Sequence, residues 1–194
     1  QTVLGDAPLN LITSNTNDKI LTIAAGHTLR GGGSLGNVSY GAINVINQGT
    51  VLADASTGMT FYGTSFDNAA GVVQVSNGSF FNHATGTLSG GAIQGNGTSA
   101  LSGAGTFQNL TLSGGFHLRQ GNTYTGVTFE GNNTVVNGAV INASGTLTTN
   151  GTLALAGNTH YTRLNLAANL TLAGTGQTVL GDAPLNLITS NTND

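Results

Sequence analysis

A parallel β-helix is the fold that this 194-residue sequence predicts, on three observations. Apolar residues alternate with polar ones at period two, the pattern of strands that bury one face. Glycine and asparagine interrupt these stretches at short intervals, and both tolerate the left-handed backbone that tight corners require. Residues 1–18, QTVLGDAPLNLITSNTND, recur letter for letter at 177–194, with no Pro/Ser-rich or charge-rich linker between the copies. A solenoid accepts such a repeat directly, because each coil contacts only the next.

The strand-like segments follow in chain order. LTIAAG (21–26) sets Leu21 and Ile23 two apart; Val45 and Ile46 precede a corner and Val51 follows it; Val73 and Val75 come next. QNLTLSGG (108–115), GTLALAG (151–157), RLNLAA (163–168) and NLTLAG (169–174) carry Leu at period two, with β-branched Thr on the polar side. Asn-Gly at 77, 96, 137 and 150 and Gly-Asn at 36, 121, 131 and 157 mark corners. Gly-Thr followed by a large apolar residue recurs at Gly49, Gly86, Gly105 and Gly145, with separations of 37, 19 and 40 residues. These fit one or two multiples of about 19–20 residues, a coil's length, although Gly151-Thr152-Leu153 falls outside the series. No stretch of ten or more residues has helical periodicity. The expected domain organisation is one continuous solenoid: residues 1–176 form one unit and 177–194 open the next, identical one. Such a unit holds roughly nine coils of about 20 residues and rises about 40 Å, at about 4.8 Å per coil. The chain begins with Gln and stops inside the second copy, so it reads as a fragment of a longer protein. Two origins fit the matching ends, a natural tandem array or ends built for assembly, and the array is the simpler.

Composition narrows the function. Charged residues are 6% of the chain, with four Lys/Arg, seven Asp/Glu and a net charge of −3. Gly, Thr and Asn supply 83 of the 194 positions, so the surface is solvated without charge. In stacked coils a charge would face its like along a whole column, whereas Asn and Thr can form hydrogen-bonded ladders. Four scattered cations make no footprint for nucleic acid, which is therefore not an expected partner. No apolar run approaches the roughly 20 residues that span a bilayer as a helix. Cysteine is absent, so no disulfide framework exists.

The stretch LTIAAGHTLRGGGSLG (21–36), followed by INVINQGTVLADAS (43–56), resembles the repeats of filamentous-haemagglutinin-like and autotransporter passenger proteins of Gram-negative bacteria. The second pattern falls on Ile46, Asn47, Gly49, Thr50, Val51 and Ala53; FDNAAGVVQV (66–75) and FFNHATGTLSG (80–90) resemble further variants, and the resemblance covers most of the chain. It implies a right-handed β-helix, export through an outer-membrane β-barrel translocator, and an adhesive or structural role outside the cell.

Each candidate for chemistry has a plainer structural reading. GGGSLG (31–36) fits a dinucleotide fingerprint at Gly31, Gly33 and Gly36 and a nucleophile elbow at Gly32, Ser34 and Gly36. Both need a following helix, whereas NVSYGAINVINQG reads as strand. The carboxylates are Asp6, Asp18, Asp54, Asp67 and Glu130, with Asp182 and Asp194 as copies of the first two. Glycoside hydrolysis needs two carboxyls about 5–10 Å apart. Asp54 and Asp67, thirteen residues apart, would meet only across a corner, so isolated turn-capping acids are expected. His27, His83, His117 and His160 lack the short spacing of a metal site. Tyr40, Phe61, Tyr62, Phe80, Phe81, Phe116, Tyr124 and Tyr161 would stack on sugars if exposed, but are expected to fill the core or cover its ends. Eight Asn-x-Ser/Thr sequons, at Asn37, Asn77, Asn96, Asn109, Asn132, Asn142, Asn150 and Asn169, follow from composition. Thr57 with Thr60 and Thr146 with Thr148 do not form the regular Thr-x-Thr array of an ice-binding face.

No catalytic, cofactor-binding or metal-ligating residue is therefore assigned, and no cofactor is expected. The expected function is that of a non-catalytic structural segment in a large secreted or cell-surface fibrous adhesin. Its partners would be neighbouring identical repeats, the translocator during export, and host or surface glycans. A glycan- or surface-binding module is the alternative, with ice binding as its weaker form.

Overall fold

The computed structural model describes residues 1–17 and 19–190, and among them every strand is parallel-paired and part of a three-sided solenoid with no helix. The first face stacks Thr2–Val3, Thr28–Gly31, Thr50–Ala53, Val72–Val75, Ala92–Gln94, Thr111–Ser113 and Thr128–Phe129, then the second halves of Val140–Thr149 and Thr162–Ala173. The second stacks Leu11–Ile12, Gly33–Leu35, Met59–Phe61, Phe80–His83, Ala100–Gly103, His117–Leu118, Asn132–Val135, Thr152–Leu155 and Gln177–Leu180. The third stacks Lys19–Ile23, Ile43–Asn47, Ser65–Asp67, Thr87–Ser89, Thr106–Gln108 and Thr123–Thr125, then the first halves of Val140–Thr149 and Thr162–Ala173, and Asn186–Thr189.

Nine coils thus span the described residues, and one 176-residue unit corresponds to eight and one-third of them. Coils are unequal, from 17 residues between Leu112 and its partner Phe129 to 27 between Thr2 and Leu29. The difference lies in the corners, including the bend where the register shifts between Ala143 and Gly145 against Leu166 and Leu170. The Gly-Thr motif proves to mark corners rather than coils. Thr50 opens a strand on the first face, Thr87 and Thr106 on the third, and Thr152 on the second. This explains why Gly151 stood outside a twenty-residue series.

Alternation buries one residue in two. Leu29, Val51, Val73, Ile93, Leu112 and Phe129 form one dry column, and Val45, Phe66, Leu88, Phe107 and Tyr124 another. Ile46, apolar but next to Val45, faces outward opposite Asp67. At the corners asparagines ladder between coils: the Asn47 amide donates to Asn68 Oδ1 (2.7 Å) and to the Val72 carbonyl (3.1 Å). Asn68 in turn donates to the carbonyls of Gly90 and Ala92 (3.3 and 3.0 Å). Such bonds satisfy buried corner carbonyls that no strand can reach.

Candidate functional site

Among the described residues, opposite charges meet in an ion pair on the outer surface. Arg30, on the second coil, forms an ion pair with Asp54, on the third, and both line a shallow hollow with Gln1, Val3, Gly5 and Asp6. Asp6 is also spoken for: its carboxylate accepts the Thr57 N–H (3.2 Å), the Thr57 hydroxyl (2.9 Å) and the Ser56 hydroxyl (3.1 Å). The Thr57 backbone bond first, then the two hydroxyls, hold the Asp6 carboxyl below its ordinary range. Asp6 lies on the first coil and Thr57 on the third, so this carboxylate clips three coils together at a corner. Both acids are engaged in holding neighbouring coils.

The other acids are apart. Asp54 leaves the first face and Asp67 ends a strand of the third, so the pair separated by thirteen residues does not converge. Asp67 caps its own turn by accepting the Ala69 N–H at 3.0 Å, and Glu130 and Asp182 are exposed. Asp18 and Asp194 lie outside the described residues. Among the described residues no group of three or more His, Asp or Glu side chains is placed to hold a metal ion.

GGGSLG is a corner and a strand. Gly33–Leu35 pairs with Met59–Phe61, and no helix follows to receive a phosphate or complete an elbow. Gly33 adopts a φ of 127°, and a Cβ there would run into the Asn10 carbonyl of the coil above. Gly33→Ala is therefore expected to cost about 2 kcal/mol or more, read as a lowered denaturation midpoint. An unchanged midpoint would show that the first coil detaches freely.

The aromatics divide by position. Phe61, Phe81, Phe116 and Tyr124 are fully buried, Phe80 and Tyr62 are half-buried, and Tyr40 and Tyr161 are exposed. Tyr161 carries the Arg163 guanidinium over its ring at 5.2 Å. Within strands, Thr-x-Thr occurs at Thr123/Thr125 on the third face and at Thr146/Thr148 on the first, so the two do not stack into an array. Five of the eight sequon asparagines stand outside the strands, at corners, and Asn132, Asn142 and Asn169 lie within strands.

One polar residue is held unusually. His83 is fully buried, stacked on Phe61 (centroids 5.5 Å, 17°) and tilted against Phe107 (5.1 Å, 40°). Its Nε2 faces two acceptors, the Gly86 and Thr106 carbonyls at 3.1 and 3.2 Å, so Nε2 carries the proton; Nδ1 is buried without a partner. Burial drives its pKa down to about 4. The spacing Phe81-x-His83 places it on the inward side of a strand, a signal present in the sequence that metal-ligand spacing does not report.

Compared with known proteins, the chain matches no family model, no curated protein and no solved structure.

Proposed function

We propose that this chain is a stiff, non-catalytic repeat segment of a large secreted or cell-surface fibrous protein of the adhesin type. The observation that carries the reading is the continuity of the second copy. Gln177–Leu180 and Asn186–Thr189 stack in register on Thr152–Leu155 and Thr162–Asn165, so one unit runs into the next without a linker. Every coil is hydrogen-bonded to its neighbours along three ladders, a construction that resists bending. The ion pair of Arg30 with Asp54 and the bonds that the Asp6 carboxylate accepts from Ser56 and Thr57 tie coils together. Lack of cysteine suits export in an unfolded state, with no disulfide to form on the way.

The two ends expose strand edges and apolar side chains, among them Val3 and Ile20 at one end and Leu172, Leu180 and Ile188 at the other. Unpaired edges of this kind invite further strands. Small-angle scattering over a concentration series is expected to show rods of constant cross-section that lengthen in steps of about 40 Å, the rise of one unit. Particles that stay one unit long at every concentration would refute end-to-end association. A glycan-binding role would rest on Tyr40 and Tyr161, which stand on the second and eighth coils and so do not form one platform.

A further inference from the structure

The two identical eighteen-residue copies do not occupy the same faces. In the first, Thr2–Val3 lies on the first face against Leu29–Arg30, and Leu11–Ile12 on the second against Ser34–Leu35. In the second, Thr178–Val179 lies on the second face against Leu153–Ala154, and Leu187–Ile188 on the third against Arg163–Leu164. The copy has moved one face round the solenoid. Its inside and outside are unchanged: Ile12 pairs with buried Leu35 and Ile188 with buried Leu164, whereas Leu11 and Leu187 pair with the outward Ser34 and Arg163. The same string therefore fits either pair of faces, because inward parity alone decides its packing.

The copies are also complementary in what they leave open. The first is paired only with the coil after it and the second only with the coil before it, among the described residues. What the free edge of the second copy lacks is what the first copy has, the strands Thr28–Gly31 and Gly33–Leu35 of a following unit.

We propose that residues 177–190 of one molecule replace residues 1–14 of a second, pairing Thr178–Val179 with its Leu29–Arg30 and Leu187–Ile188 with its Ser34–Leu35. The inference rests on the end-to-end reading above and specifies its junction. The incoming strand makes the contacts that the identical outgoing strand gives up, so the exchange is close to neutral. The gain is elsewhere: Leu170–Ala173 of the first molecule comes to lie on Lys19–Ile23 of the second. That covers the apolar hollow lined by Leu21, Ile23 and Leu29 at the open end of the core. Each molecule then follows the last by eight and one-third coils, turned by one face. Such a head-to-tail contact does not close on itself and so builds filaments. A feature of one flank, such as the exposed turn bearing Val38 and Tyr40, returns to the same side only at every third molecule.

The absence of native cysteine makes the junction directly readable. Leu187→Cys in one preparation and Ser34→Cys in another are mixed under oxidising conditions at rod-forming concentration. Adjacent strands about 4.8 Å apart are within reach of a disulfide, so covalent heterodimers are expected, with neither preparation cross-linking alone. In a second arm, Leu11→Cys with Ser34→Cys in one chain locks the molecule's own first strand in place on oxidation. Rods are then expected to disappear, and to return on reduction. Rods that form without heterodimers and ignore the lock would mean plain stacking of the last coil on the first, which overturns the exchange and leaves end-to-end association standing. Wild-type molecules that never lengthen would overturn both.

Discussion

Phe107→Ala is expected to lower the unfolding free energy by about 3–5 kcal/mol, the cost of emptying an aromatic site in a core that cannot close over it. The ring is fully buried, 5.1 Å from the His83 ring and 5.4 Å from that of Tyr124, which in turn meets Phe129 at 5.6 Å. In a globular core, neighbouring elements can shift into a void. Here the coils are pinned at the spacing of their hydrogen bonds, with Thr106–Gln108 paired to both Thr87–Ser89 and Thr123–Thr125. Urea denaturation followed by far-ultraviolet circular dichroism reads the change. Leu172→Ala, in the half-open last coil, is the control and is expected to cost under about 1 kcal/mol. Equal losses at the two positions would mean that the core is not continuous through the fifth and sixth coils.

Much of this architecture is legible in single residues. The inward positions Ile23, Val45, Val73, Val75, Leu112, Leu147, Leu153 and Leu164 can be picked out by period two alone, and all are buried. Ile46 misleads because hydrophobicity does not report parity where two β-branched residues adjoin. The face that each strand occupies is not legible. Coil length varies between 17 and 27 residues, so counting residues from a Gly-Thr corner does not say which corner it is. The rotation of the second copy by one face is hidden for the same reason. It depends on the number of strands between the copies, and the letters of the copies are identical. For the candidate site, sequence separation keeps Asp54 and Asp67 apart, but it overlooks the gathering of Asp6, Arg30 and Asp54 around one hollow and the meeting of Asp6 with Thr57, two coils away, because no local spacing encodes them. The burial of His83 was within reach, since it follows Phe81 by two.

Acid is expected to weaken the fold in a window set by His83. In the unfolded chain the ring has its ordinary pKa of 6.5; in the fold, burial lowers it to about 4, and the surroundings are the Phe61 and Phe107 rings and two backbone carbonyls. Protonation would place a charge there and a second N–H, on Nδ1, with nothing to accept it. Below pH 6.5 the unfolded chain takes up a proton that the folded chain refuses, so stability falls as pH falls. The slope ends near pH 4, where the folded ring is protonated as well. At about 1.4 kcal/mol per pH unit, the whole window is worth about 3 kcal/mol. Asp6 contributes at lower pH: its folded pKa lies below its ordinary 3.8, and its stabilising effect is lost as pH drops through and below that value. Between pH 6.5 and 4.5 the fall thus belongs chiefly to His83. Urea midpoints at half-unit steps of pH, for the wild type and for His83→Phe, make the test. The variant is expected to hold a flat midpoint across the window, because phenylalanine keeps the stack with Phe61 and Phe107 and takes up no proton. A parallel decline in both proteins would assign the acid sensitivity to other groups.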